Sequence, residues 1–413
     1  MLIRKTLKYR IYPTKSQEQF FLNSFGCCRF LYNYYLDKNK KLYEENKDIK
    51  DSKKYSSYVD NAKDLTSLKK ILPWLEVPDS QALQVSLKTL DESFKDFFKK
   101  EGGFPKFKSK KDDRSFKSIG LLKYDEVTKE LKIPKLKETI KLNHPKKDKN
   151  KLKQEYIKTV SIVKEPSGKW YACLSVEINQ EHLPKVDATI GLDLGIKDLI
   201  VDSNGKAIGN PKFLKYFEKK IAYKQKQLAK KKKGSKNRAK ARRALAITYE
   251  KLKNVRLDFL HKITKQIINE NQVIICEDLK VADMIQNGKT KSLRKSLQNV
   301  CFGEILRQLK YKSAWYGRTF HQVDQYYPSS KTCSECGYVL EELGLDIRSW
   351  ECLECHAKHD RDKNAAINIR KRGIKDLRAI SLGPRNVVPT QKPEEALALA
   401  KSKIQEAAAF MQQ

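Results

Sequence analysis

The chain has 413 residues, of which 86 are Lys or Arg and 50 are Asp or Glu, giving a net charge of +36. Charged residues are 33% and apolar residues 39%, against about 25% and about 45–50% in average proteins, so surface is large relative to core. That charge excludes a self-contained neutral globule and points to a polyanionic partner, because each Lys or Arg docked on a phosphate releases a condensed counterion.

No stretch approaches the ~20 apolar residues of a membrane span. The opening MLIRKTLKYRIYP has no apolar segment of a secretory signal. The expected location is the cytoplasm, associated with the nucleoid. There the nine cysteines stay reduced, and clustered cysteines favour metal over disulfide.

In chain order, residues 2–12 alternate as a half-buried strand, with Ile3, Leu7, Tyr9 and Ile11 inward and Arg4, Thr6, Lys8 and Arg10 outward. Pro13-Thr14 opens a helix, with Thr14 and Gln17 placed for a capping box. Aromatic-rich helical sequence continues to about residue 100, ending with Leu83, Leu87, Leu90, Phe94 and Phe97 on one face. Gly102-Gly103 and FPKFKSKKDDRSFKS break that pattern. A hairpin follows: Thr159–Lys164, a turn at Pro166-Ser167-Gly168, then Trp170, Ala172, Leu174, Val176 and Ile178 on one face. Strands on both sides of a helical insertion suggest one small β-barrel.

From Ala188 the character changes. ATIGLDLG reads as a buried strand ending in an acid, with LIVDSNGKAI as its hairpin partner, turned at Ser203-Asn204-Gly205. Two Lys/Arg-rich helices fill 212–270, joined near Gly234, and QVIICEDL is a short apolar strand. A helix near 300–315 and the strand RTFHQV lead to the cysteines. NAAINIRKRGI reads as a helix ended by Gly373, before an Ala/Glu/Gln-rich tail.

Cys333-x-x-Cys336 and Cys352-x-x-Cys355, fifteen residues apart, can present four thiolates to one tetrahedral Zn²⁺. Such a closed site is structural, with no open position for chemistry. His356 and His359 follow closely as possible substitutes. Cys27, Cys28, Cys173, Cys276 and Cys301 lack this spacing and read as core residues.

Three acids form the second constellation. Asp193 and Glu277 each end an apolar strand, and Asp362 sits where HDRDKNAA passes from loop to helix. An acid at a strand end is by itself more often a cap or a solvated turn. Together these three fit phosphodiester hydrolysis, for which two Mg²⁺ ions roughly 3.5–4 Å apart need hard oxygen ligands from several chain segments. The order of strand, hairpin, helices, strand and helix is that of a ribonuclease-H-like sheet. Asp198, Asp202, Asp278, Asp324 and Asp360 are competing candidates.

IGLDLGIKDL, ICEDL, YPSSKTCSECG, RSWECLEC and HDRDKNAAINI, in this order, resemble the TnpB (OrfB) proteins of insertion sequences, relatives of type V CRISPR effectors and Fanzor proteins. YRIYPTKSQEQ, FGCCRFLYNYYL and FPKFKSKK are also similar to that family. The resemblance implies an α+β multidomain fold. A β-barrel (WED/OB-like, 1–14 plus 104–184) carries an inserted helical REC-like domain (15–103). A RuvC-like nuclease domain (185–330 plus 357–380) carries an inserted four-cysteine zinc ribbon (331–356), and a tail covers 381–413. Asp193, Glu277 and Asp362 map onto the family's catalytic triad, where the acid before x-Asn-Ala-Ala selects Asp362 over Asp360. His356 departs from the pattern, standing where the family usually has Gly.

The resemblance further implies an RNA-guided endonuclease that binds a structured guide RNA, recognises a short flanking motif and cuts double-stranded DNA at one site. Its cofactors would be two Mg²⁺, one structural Zn²⁺ and the guide RNA, with a single copy in the ribonucleoprotein. Guide pairing leaves the protein to hold backbone, so Arg4, Lys8, Arg10, Arg29, Tyr32, Lys106, Lys108, Lys231, Arg238 and Arg242 are candidate nucleic-acid contacts, although core packing is the favoured reading of Tyr32. Rival readings are an actin-like kinase, which lacks further glycine-rich loops here, a guided regulator without cleavage, and a strand-joining transposase.

Overall fold

The computed structural model describes residues 1–50, 52–111, 114–145, 152–287, 290–344 and 346–382; the expected tail beyond them lies outside the described residues. The chain divides into two compact units, Met1–Gln180 with Lys219–Lys251, and Glu181–Glu218 with Leu252–Gln413. Among the described residues no helix is long and apolar enough to cross a membrane.

The first unit opens with β1 (Leu2–Ile11), then α1 (Lys15–Asn46), α2 (Tyr58–Ile71) and α3 (Ser80–Phe98). Its remaining strands are β2 (Ser115–Ile119), β3 (Lys123–Asp125), β4 (Glu130–Lys132), β5 (Ile140–Lys141), β6 (Ile157–Lys164) and β7 (Trp170–Asn179). The strands lie in two antiparallel sheets, ordered β1-β7-β6-β2 and β3-β4-β5. An isolated bridge from Arg10 to Asn143 links β1 to the residues after β5.

Alternation along β1 and β7 turns apolar side chains to one face, as their period of two requires. Thr14 caps α1 through the expected capping box with Gln17. The helix then lays Phe21 and Phe25 against Phe116 and Trp170, with ring centroids 5.5–6.2 Å apart. Such spacing suits tilted aromatic packing.

The second unit holds β8 (Thr189–Asp193), β9 (Asp198–Asp202), β10 (Ala207–Gly209), α4 (Phe213–Ala229), α5 (Lys236–Glu270) and β11 (Val273–Glu277). Next come α6 (Val281–Gln286), α7 (Lys291–Val300), α8 (Phe302–Tyr316), β12 (Thr319–Val323), β13 (Ser349–Glu351), β14 (Lys358–Asp360) and α9 (Arg361–Leu382). Residues 219–251 of α4 and α5 belong to the first unit. As the sequence suggested, β9 pairs antiparallel with β8 and Ser203-Asn204-Gly205 forms a turn, which leads from β9 into β10; residues 194–197 turn β8 into β9.

The sheet order is β10-β9-β8-β11-β12, with β11 parallel to both β8 and β12. Helices cover both faces. Ile190, Leu192, Ile274 and Cys276 pack with Leu260, Ile263 and Ile267 of α5 and with Phe302, Ile305 and Leu309 of α8. Ile275 and Val323 point the other way, to Ile369 of α9.

On that second face the approach is close enough to exclude side chains. A Cβ on Gly191 would overlap the Ala366 carbonyl oxygen and lie 2.7 Å from the Arg370 nitrogen, and one on Gly373 would lie 2.8 Å from Ile275 Cδ1. Gly373 therefore does not end the helix, as its sequence context suggested. α9 continues through it to Leu382, and the glycine serves contact with β11. In an exposed helix Gly→Ala gains about 1 kcal/mol. Here Ile275 is fully buried and cannot retreat, so overpacking of about 1–3 kcal/mol should prevail. Thermal unfolding of Gly373→Ala is expected to show net destabilisation; a raised melting temperature would refute this packing account.

Candidate metal centre and basic clefts

Parallel pairing of Cys276 with Leu192 sets Asp193 and Glu277 at the same end of neighbouring strands. The first turn of α9 brings Asp362 to them, and the partial positive charge of a helix N-terminus favours an acid there. Burial first, then the carboxylates of Glu277 and Asp362, push Asp193 up to about 7. Burial also raises Glu277, opposed by a hydrogen bond from the Ser329 hydroxyl. The three acids are thus neighbours, crowded and partly desolvated, and each gains from a cation.

Their competitors are otherwise engaged. Asp360 accepts the Lys363 N–H at 2.9 Å, capping α9. Asp202 accepts from Asn204 and Lys206 N–H in its turn. Asp324 accepts from Tyr326 N–H, and Asp278 from Gln322. Asp198 begins β9, at the end of the strand away from Asp202. Sequence chose between Asp360 and Asp362 only by resemblance; capping supplies a physical reason.

Cys333, Cys336, Cys352 and Cys355 place their sulfur atoms within 4.8 Å of one another. Two pairs, Cys333–Cys355 and Cys336–Cys352, stand at 3.6 Å, near the roughly 3.8 Å edge of a tetrahedron with Zn–S bonds of about 2.3 Å. Among the described residues no other group of three or more His, Cys, Asp or Glu converges this tightly. The thiols therefore fit Zn²⁺, and the oxygen donors of the acids fit a hard divalent cation. His359 is no competing ligand: its Nε2 lies 3.1 Å from Cys333 Sγ, with Trp350 against its ring. His356 adopts φ +59°, which explains why glycine suits that position. Cys27, Cys28 and Cys276 are buried, as expected.

The segment between β12 and the ribbon is tied to both acid-bearing elements, a feature the sequence reading missed. Ser329 hydrogen-bonds Glu277. Buried Asn368 donates to the carbonyls of Ser329 and Thr332, at 2.9 and 2.6 Å. Buried Asn364 donates to the Thr332 carbonyl and accepts from Ser334 N–H. Two asparagines four residues apart on an apolar helix face were the available signal. The sequence reading also missed Arg348, whose Nη1 lies 3.0 Å from each oxygen of Asp362.

The expected nucleic-acid contacts divide in the first unit. Arg4 pairs with Glu177 and Lys8 with Glu165. Arg10 donates to the Trp170 carbonyl, and Arg238 donates to the carbonyls of Leu228 and Lys231, closing the end of α4. Tyr32 leaves the candidate nucleic-acid contacts, in line with the core packing the sequence favoured for it: it is only 4% exposed, with Lys108 Nζ 4.2 Å from its ring centre. Lys106 and Lys231 are exposed. A cleft of about 450 Å³ is lined by Arg10, Arg114, Lys164, Arg242 and Arg243, with Glu18 its one acid. Another of about 900 Å³ shares Arg114, Lys164 and Arg242 and adds Arg29, Lys110 and Lys111. Arg114 and Lys164 were not singled out in the sequence, because they converge with the other cations only through folding.

Three family profiles match the chain. Residues 173–288 match the OrfB family of IS605 elements, described as a probable transposase, and residues 302–369 match the Cas12f1-like TNB domain. Residues 1–48 match an OrfB helix-turn-helix domain, although this segment folds as β1 followed by the single helix α1. A Streptomyces pristinaespiralis protein named as an RNA-guided DNA endonuclease is 34% identical over 375 residues, 90% of each chain. The similarly named InsQ of Escherichia coli K12 is 29% identical over 382 residues, 89% of this chain and 92% of that one. Among solved structures, Cas12f1 in its complex with sgRNA and target DNA shares the fold. Its TM-score is 0.55 at 15% identity, over 89% of this chain and 99% of that one.

Two outcomes follow from this geometry. Below pH about 7 Asp193 holds a proton that a cation must displace, so affinity for Mn²⁺ should fall up to about tenfold per pH unit there and level off above pH 8. The raised value has a matching sign for stability: without a cation, ionisation of Asp193 costs stability as pH rises from about 4 through 7. Calorimetric titration at pH 6 and pH 8 checks this; equal affinities would refute it. Ser329→Ala should cost about 10–100-fold in divalent-cation affinity or activity, with Ser329→Thr partly restoring it and bound zinc unchanged.

Proposed function

This chain belongs to the OrfB (TnpB) family of insertion-sequence proteins, and on that premise we propose that it is an RNA-guided DNA endonuclease. It binds a structured guide RNA, recognises a short motif beside its target and cuts double-stranded DNA at one RuvC-like site. The observation that carries this reading is the meeting of Asp193, Glu277 and Asp362, from β8, β11 and α9, beside a four-cysteine ribbon. The names of the relatives and the fold shared with Cas12f1 support it.

Asp193, Glu277 and Asp362 would hold two Mg²⁺, which when bound neutralise charge on the scissile phosphate and lower the pKa of the attacking water. The chain's own part is positional. Ser329 orients Glu277, the β-sheet sets Asp193 beside it, and Asp360 caps α9 so that the Asp362 carboxylate is left for the site. The cysteines hold one structural Zn²⁺, which fixes the segment running into Asp362. We assign the domains as the family pattern divides them: WED-like 1–14 and 104–184, REC-like 15–103, RuvC-like 185–330 and 357–380, and zinc ribbon 331–356.

The two basic clefts suit the RNA, because cations clustered around a cavity follow a folded phosphate backbone. Arg10, Arg29 and Arg242 remain candidates there, joined by Arg114 and Lys164.

The protein should be purified with co-expressed RNA, that RNA sequenced, and matched plasmid offered with Mg²⁺. Cleavage should be lost in Asp193→Asn and Glu277→Gln while RNA binding persists. Intact cleavage by either variant would refute the site. Joined rather than cut strands would favour a transposase, and sequence-specific binding without cutting would favour a regulator.

A further inference from the structure

Arg348 sits between the two cysteine pairs, immediately before β13. Its backbone is fixed, since its carbonyl accepts the Arg361 N–H at 2.8 Å and the next residue, Ser349, pairs with Asp360 across the β13–β14 hairpin. Its side chain is less confined, at 49% exposure. One nitrogen, Nη1, sits 3.0 Å from both Oδ1 and Oδ2 of Asp362. That position is the edge of the carboxylate, between the two oxygens, where a cation is best received. Arg361 is different: its guanidinium is committed to the carbonyls of Gly344 and Ile347.

We propose that Arg348 is an internal stand-in for the catalytic cation. It occupies the open edge of Asp362 while no divalent ion is bound and leaves when one arrives. This rests on the reading that the three acids hold a divalent cation. A guanidinium satisfies the acid's charge and lone pairs, which keeps three crowded carboxylates from repelling Asp362 out of the site. Because the Arg348 side chain is half exposed, the pair is weak enough for an ion to displace. Loading of the catalytic ion and movement of the ribbon's Arg348 arm thus become one event. The arm hangs from the zinc-bearing hairpin, so the ribbon senses whether the acids are loaded.

A general electrostatic effect makes a different prediction. Arg361 lowers the energy of ionised Asp193 more than Arg348 does. If only the local field mattered, removing Arg361 would strengthen cation binding at least as much as removing Arg348.

Mn²⁺ and Ca²⁺ affinities should be measured by calorimetry on the full-length ribonucleoprotein, with zinc content and melting temperature checked. Arg348→Gln is expected to tighten binding by roughly two- to fivefold, the scale of an ion pair with one half-exposed partner. Arg348→Lys should fall between that variant and wild type, and Arg361→Gln should gain less. Adding Asp362→Asn to Arg348→Gln should abolish the gain. Unchanged or weaker binding in Arg348→Gln, or an equal gain in Arg361→Gln, would overturn the stand-in. Wild-type affinity unaffected by Asp193→Asn and Asp362→Asn would instead sink the metal reading, and this inference with it.

Discussion

The close approach of α9 to β8 and β11 is the constraint on which the rest of the second unit depends. A helix ordinarily stands off from a sheet by the length of its side chains. At Gly191 and Gly373 that spacing is removed, and a Cβ at either would overlap its neighbour. Ala365 and Ala366, both fully buried, complete the flat contact. Because the helix starts at Arg361, lying this close sets its first turn beside the ends of the two strands. Asp362 meets Asp193 and Glu277 for that reason.

What results is locally unfavourable. Burial raises both Asp193 and Glu277, and the neighbouring carboxylates raise Asp193 further, so the acids would rather be protonated or apart. Hydrogen bonds hold the surroundings: Ser329 to Glu277, and Asn364 and Asn368 to the carbonyls of Ser329 and Thr332. Buried asparagine amides are costly unless paired, and here they find backbone carbonyls and an N–H. Segments on both sides of the first cysteine pair are thereby fastened to α9 or to the acids, through Ser329 on one side and Arg348 on the other. The cysteine cluster and the acids are close in sequence because one inserted loop serves both.

In the first unit, charge is divided between two uses. Arg4, Lys8 and Arg238 satisfy carboxylates or carbonyls of the chain itself. Arg29, Arg114 and Arg242 line clefts instead. Net charge alone could not separate these groups, since a solvated or paired lysine counts the same as one facing a ligand.

Much of the fold was legible in the sequence where neighbours along the chain decide it. Alternation revealed β1, β6 and β7; the capping box at Thr14 and Gln17 began α1; and paired C-x-x-C spacing pointed to the four thiols that the fold gathers in one cluster. Acids at the ends of apolar strands were visible as Asp193 and Glu277. Tertiary structure decided what depends on distant partners. It made Gly373 a packing residue inside α9 rather than its end, buried Tyr32 against the core, and gave Asp360 to capping while Asp362 faced the acids. It also brought Arg348 onto Asp362 and Ser329 onto Glu277, pairs separated in sequence by 14 and 52 positions. Local pattern reports the period and the chemistry of a segment; which surface it meets is set by the register of the sheet and by how near two backbones can come.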